Sequence, residues 1–352
     1  PYASNDKTTG HSLLMFFMNI VNLSPTHGSC IERMTFLAFG GKVAVTREVN
    51  DIFDFGDEVE TSTSISRQEA TEVQDIFKTI KINSDNLKEF AKDVFKNYKI
   101  DIVFHLISTT VPATSNDNLE YDVESNLVGS IRLLKIMVKH NVQKLVFLSS
   151  GGTVYGRVSV NEVDEHQHTN PISAHGITKL CIEKYIQLHH HLHGLNYIIL
   201  RVANPFGPYH QSDKQGIINV AIRRALDHKR LEIWGDGSVV RDYIYVKDLA
   251  YIMSEIIAKN CWNNIINVGT GKGYSIKQIL QLISEIPLYL NIVYSPAHKY
   301  DVPYIVLNNK KLKSLISYKP TDIKEAIKET YNWIVDENLR SGEMVQQIKT
   351  VT

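Results

Sequence analysis

Residues 171–180 read PISAHGITKL and carry a histidine and a lysine four positions apart, His175 and Lys179. On a helix that spacing stacks the two side chains on one face. Neutral imidazole is a competent proton acceptor with an ordinary pKa of ~6.5, and a neighbouring ammonium keeps it neutral. The pair therefore reads as an acid/base pair or as what is left of one. The run HHHLH at 189–193 invites a metal reading. Only His189 and His193 share a helix face, and with no cysteine or carboxylate partner they make a poor zinc site. A solvated helix end is the expectation there, with no metal site. His105, in VFHL, falls at the end of a buried strand, where histidine is more often structural than catalytic.

Those residues need elements to hold them. The chain has 352 residues, 43% of them hydrophobic, enough for one large domain or two fused lobes. Lysine plus arginine and aspartate plus glutamate both total 38, with no basic stripe, which argues against nucleic acid as a partner. No apolar run approaches the ~20 residues needed to span a bilayer, so no membrane partner is expected. Cys30, Cys181 and Cys261 are odd in number and far apart, which suits reduced thiols in a cytoplasmic protein. SLLMFFMNIVNL lacks a basic flank, so it is not read as a signal peptide. Residues 1–15 are read as a leader or remnant, with Met15 or Met18 as starts.

Short apolar runs alternate with helical patterns along the first two thirds. MNIVNL, KVAVT, IDIVFHLIS, QKLVFLSS and LNYIILRVAN read as strands. SNLVGSIRLLKIMVKHNV and TKLCIEKYIQLHHHL read as helices. Such alternation predicts crossover units and a parallel sheet with helices on both faces. The last third is mixed. EIWGDGS is a strand ending in a turn, and IINVGTGKGYSIKQILQLI is a strand, a glycine loop and a helix. Ser275 with Gln278 three residues on predicts a capping box opening that helix. KPTDIKEAIKETYNWIVDE reads as an amphipathic closing helix.

Seven blocks, in order, resemble the extended short-chain dehydrogenase/reductases of the NAD-dependent nucleotide-sugar epimerase/dehydratase family, of the UDP-glucose 4-epimerase kind. They are DIVFHLIS, YDVESNLVGSIRLL, LVFLSSGGTVYG, PISAHGITKL, LRVANPFGP, IWGDGSVVRDYIYVKDLA and NVGTGKGYS, within about residues 100–335. The resemblance implies an α/β fold: a Rossmann-type doubly wound parallel sheet over 16–203, and a smaller mixed α/β substrate lobe over 204–345. Part of 240–265 returns to the first lobe, and the site lies between them at the strand carboxyl ends. It also implies a hydride lent to bound NAD and returned, with the tyrosine of Tyr-x-x-x-Lys moving the hydroxyl proton. Lys179 stands at the lysine of that motif and His175 at the tyrosine.

The resemblance carries further expectations. Lys179 positions cofactor, His175 is the altered base, and Thr153 or Ser150 bonds the sugar hydroxyl, since Gly151 occupies the position where many relatives have Ser or Thr. Gly151 and Gly152 also stand where the 4,6-dehydratases carry an Asp-Glu pair, which disfavours elimination. Asn204 and Arg241 would hold the nucleotide diphosphate, with Trp234 near the base and His298 where relatives often show an arginine. His105 would lie near the nicotinamide. On the cofactor side only Gly28 remains of the glycine fingerprint, with Pro25 and Ile31 at the other two positions. Thr46 and Arg47 replace the acidic residue that ends the second strand, which would suit NADP. A UDP-linked sugar is the expected substrate. A homodimer through the helices at 126–141 and 177–193 is the expected assembly. Two alternatives stay open: a catalytically weakened nucleotide-sugar binder, favoured by the departures together, and an NADP-dependent keto-sugar reductase.

Overall fold

A computed structural model describes residues 13–19, 33–39, 95, 100–112, 114–159, 162–210, 212, 215–297 and 302–340. In chain order these form β1 (Leu13–Asn19), β2 (Arg33–Phe39), β3 (Ile102–His105) and α1 (Leu119–Asp122). A π-helical stretch (Val123–Val128) leads into α2 (Gly129–Lys139), followed by β4 (Lys144–Ser150) and α3 (Ala174–His193). Next come β5 (Asn196–Val202), β6 (Asn204–Phe206), α4 (Ile217–Leu226), β7 (Arg230–Trp234), β8 (Val240–Tyr245) and α5 (Val246–Ala258). The chain continues through β9 (Asn264–Val268), β10 (Gly273–Ser275), α6 (Ile276–Ser284) and β11 (Asn291–Ser295). It ends in β12 (Tyr304–Ile305), α7 (Lys310–Leu315) and α8 (Ile323–Arg340).

The backbone divides into two compact units. The first takes in the described residues up to 109 with 124–147 and 184–197. In it β3 lies between β1 and β4, parallel to both, with Leu13 opposite Ile102 and Val103 opposite Leu145. Val103, Phe104, Leu145, Val146 and Phe147 are buried, the near-continuous apolar run of a strand covered on both faces. Leu134 and Met137 of α2 are buried with them. β2 runs antiparallel to β1, where the alternation predicts a parallel neighbour. The expected strand MNIVNL is also displaced: the more apolar LLMFFMN forms β1, which begins inside the stretch read as a leader. KVAVT falls outside the described residues.

The second unit comprises 110–123, 148–183 and the chain from 198 onward. Here β5 pairs with β9 in parallel, and β8 is flanked by β10 and β12 and also pairs with β6. β7 and β11 form a separate parallel pair. The core joins Ile218 and Ile222 of α4, Ile279 and Ile283 of α6, and Ile327 and Ile334 of α8 to Leu231, Ile233 and Tyr243 of the strands. The capping box at the start of α6 forms as the sequence predicts. Ser275 Oγ accepts from the Gln278 N–H, and Gln278 Oε1 accepts from the Ser275 N–H.

One buried amide fixes the turn that follows β6. Gly207 has φ +135°, and a Cβ there would meet Val246 Cγ1 at 2.7 Å. Fully buried Asn219 accepts from the Gly207 N–H at 3.1 Å and donates to its carbonyl at 2.7 Å. Asn219→Ala leaves both groups of Gly207 without that partner. Urea unfolding is expected to report a loss of about 3 kcal/mol.

Candidate functional site

The start of α3 is fixed by side chains brought from elsewhere in the second unit. Asn116 Oδ1 accepts from the Ala174 N–H at 3.0 Å, Ser115 Oγ from the His175 N–H at 3.1 Å, and Ser173 Oγ from the Gly176 N–H at 3.3 Å. These are the first-turn donors that no helix satisfies internally. His175 and Lys179 then face inward, 9% and 6% exposed.

Burial sets the charge of both. It pushes His175 down to about 3, with the Lys179 ammonium adding to the effect and Asp122 opposing it. The Thr110 backbone also opposes the lowering. Burial also lowers Lys179 to about 8, against the pull of Asp122 and Glu183. Lys179 Nζ donates to the Leu148 carbonyl at 2.9 Å, near the carboxyl end of β4. At neutral pH the site therefore holds an uncharged imidazole beside a mostly protonated lysine.

Around the pair lies a buried polar chain that sequence reasoning missed. Asp122, fully buried at the end of α1, accepts from the hydroxyls of Thr110 and Thr178. One turn past Lys179, Glu183 takes two bonds from Arg201, at 3.1 Å from Nε and 2.8 Å from Nη2, and one from Ser149. Arg201 Nη1 donates to the Tyr155 hydroxyl at 3.1 Å, and Tyr155 donates to Asn267 Oδ1 at 2.6 Å. Burial raises the Tyr155 hydroxyl to about 12, so this tyrosine of GGTVYG stays neutral within a structural network. Asp242 follows Arg241 on β8. It is buried and accepts from Thr270 N–H and Oγ1 and from Gly271 N–H, anchoring the loop NVGTG.

The glycines after β4 decide where a hydroxyl can stand. A Cβ on Gly151 would lie 2.5 Å from Leu307 Cδ1 and 3.0 Å from the Arg201 carbonyl, so a side chain there would force Leu307 to shift. Gly176 lets the next turn lie on α3, because a Cβ at that position would meet the Thr153 carbonyl at 2.8 Å. Thr153 Oγ1 is buried with no hydrogen-bond partner. The Ser150 carbonyl accepts from the Thr153 and Val154 N–H groups. Hence Thr153 and Ser150 come together next to the first turn of α3, and Thr153 holds the orphaned hydroxyl.

The other expected residues lie apart. Asn204 on β6 and Arg241 on β8 occupy hydrogen-bonded neighbouring strands, with Asn204 opposite Tyr243. Asn204 Nδ2 donates to the Asp242 carbonyl at 3.0 Å, and Arg241 Nη1 to the Val240 carbonyl at 2.9 Å. Trp234 ends β7, in the separate two-stranded pair, and is exposed. His105 belongs to the first unit, where its Nε2 bonds Ser130 Oγ at 2.7 Å and its ring packs 5.2 Å from Phe147. His189 Nδ1 bonds the Tyr185 carbonyl. Among the described residues no group of three or more His, Cys, Asp or Glu is placed to hold a metal ion. Gly28, Thr46, Arg47 and His298 lie outside the described residues.

An α/β fold of the Rossmann type is a dinucleotide-binding class of fold, and here it carries a buried histidine and lysine one helical turn apart. The chain belongs to the NAD dependent epimerase/dehydratase family, whose pattern matches residues 56–269. A Methanocaldococcus jannaschii protein provisionally named UDP-glucose 4-epimerase is 35% identical over 73% of this chain and 84% of its own. The UDP-glucose 4-epimerase of Halalkalibacterium halodurans is 28% identical over 85% of this chain and 95% of its own. Among solved structures, Thermotoga maritima UDP-glucose 4-epimerase with UDP-glucose superposes with a TM-score of 0.68, at 30% identity over 73% of this chain and 84% of that one.

Restoring a hydroxyl at position 151 is expected to fail. Gly151→Ser should lower stability by about 2 kcal/mol through overpacking against Leu307. Urea unfolding checks the loss, and a parallel turnover assay checks that no activity is gained.

Proposed function

We propose that the protein is a nucleotide-sugar 4-epimerase of the UDP-hexose type that works with bound NAD. The observation that carries this reading is the buried His175–Lys179 pair, with the Thr153 backbone against the same helical turn and the Thr153 hydroxyl unpartnered. NAD supplies, when bound, a hydride acceptor at C4 of the sugar that gives the hydride back to the opposite face of the ketone. The described residues fit such a group in one respect. Lys179 brings a buried ammonium to the carboxyl end of β4, where cofactors of this fold class bind. Lys179 would hold the cofactor ribose.

His175 takes the C4 hydroxyl proton on its unprotonated ring nitrogen and returns it when the hydride comes back. Its depressed basicity keeps it ready to accept at neutral pH. Lys179 keeps the imidazole uncharged and favours the transient negative charge on the sugar oxygen. Thr153 donates to that oxygen, a role Gly151 cannot fill, and Ser150 supports the same turn. Asn204 and Arg241 hold the diphosphate from neighbouring strands, with Trp234 toward the base. The substrate class follows the relatives, among them a UDP-glucuronate 4-epimerase of Thermodesulfobacterium geofontis at 30% identity. Ile177, Leu188 and Leu192 stand exposed on α3, and a homodimer would cover them.

One observation favours a second reading, a nucleotide-sugar binder without turnover. An imidazole pushed down to about 3 is a weak base. Two measurements separate the readings. His175→Ala should lower kcat about a hundredfold or more while nucleotide-sugar binding by calorimetry stays within about threefold. The epimerase needs neutral His175 and protonated Lys179. His175 is neutral above about 3 and Lys179 loses its proton through about 8, so kcat/KM should be flat over ~pH 5–7 and fall above about 8. Absence of turnover at every pH, with binding intact, would leave the binder.

A further inference from the structure

We propose that Asp122 is a positioning residue for the His175–Lys179 pair, tying Thr110 and Thr178 so that imidazole and ammonium keep their places. The inference rests on the functional reading above and deepens it.

The carboxylate sits where two segments meet α3. One oxygen accepts from Thr110 Oγ1 and the other from Thr178 Oγ1, and all three residues are buried. Thr178 directly precedes Lys179 and follows His175 by three positions, so Asp122 grips the turn that carries the pair. Thr110 matters through its main chain, which acts on His175 in the direction of its protonated form. Next to it, Ser115 Oγ accepts from the His175 backbone N–H at 3.1 Å. One carboxylate thus ties the segment beside the imidazole to the helical turn that carries the ammonium.

Its charge has a second effect. The groups facing the pair are Lys179 and Glu183 on α3, Asp122 on α1, and the Thr110 backbone ahead of α1. Glu183 shares its charge with Arg201 through two N–H···O bonds. Asp122 accepts from two neutral hydroxyls, and its negative charge acts on Lys179 and His175. It opposes the burial that lowers both.

Asp122→Asn in the full chain tests this, since it keeps the volume and removes the charge. The Lys179 midpoint, followed by carbon NMR of the lysine side chains, is expected at about 8 in the unsubstituted protein. It should fall by about one unit or more in the variant. In the same variant kcat should fall about tenfold at neutral pH, with KM for the nucleotide sugar within about twofold. An unmoved Lys179 midpoint in a folded variant overturns the proposal, because a merely structural side chain would not shift that charge. Should the variant not fold, Thr178→Val is read instead. It leaves the charge and removes one tie, and kcat lowered about fivefold at unchanged KM is expected. Unchanged kcat there overturns the proposal. If the unsubstituted protein turns over no nucleotide sugar, the functional reading fails, and the NMR midpoint alone decides on Asp122.

Discussion

A lysine ammonium taken out of water must be compensated, and the burial of Lys179 organises the second unit. Removing such an ion from solvent costs several kcal/mol unless hydrogen bonds and opposite charge replace the water. The Leu148 carbonyl supplies a hydrogen bond, and Asp122 and Glu183 supply charge. Each needs its own partners. Asp122 takes Thr110 and Thr178, while Glu183 takes Arg201 and Ser149. Arg201 in turn draws in Tyr155 and Asn267. The chain of satisfied groups runs from β4 through α3 to β5 and β9. One expensive charge therefore fixes the relative placement of several elements.

The same burial defines the chemistry open to His175. A phenol in this place would need help to lose its proton, whereas an imidazole starts without one. Burial, with the Lys179 ammonium adding to it, keeps the ring neutral. In the proposed mechanism the imidazole exchanges basicity for readiness, a weaker acceptor that is in the accepting form at neutral pH. Leu307 and the Arg201 carbonyl crowd the space where a side chain on residue 151 would project, and, two residues on, the Thr153 hydroxyl has no hydrogen-bond partner.

Much of this was legible in local sequence. The spacing of His175 and Lys179, the alternation of strands and helices, and the Ser275–Gln278 box depend on neighbours within a turn. Each is present in the structure. Asp122, Ser115 and Asn116 were not legible, because they meet α3 across 56 to 60 residues of chain. Nothing in YDVESN separates a solvated acid from a buried one. Gly151 read as a lost hydroxyl, and only the approach of Leu307 gives a steric reason for it. Asp242 was hidden beside Arg241, since a motif expected to bind phosphate draws attention to its cation. At the amino end, the most apolar run won over the run with the familiar strand pattern, and β1 formed five residues earlier than expected.

The central claim is that a hydride leaves C4 of a nucleotide sugar and returns to the other face of the same carbon. The most direct measurement follows UDP-glucose deuterated at C4, incubated with the purified protein and analysed by mass spectrometry and proton NMR. The account predicts the C4 epimer with deuterium retained at C4, because the hydride is lent within the site and not exchanged with water. No epimer, or an epimer whose C4 deuterium has been lost to solvent, would contradict it.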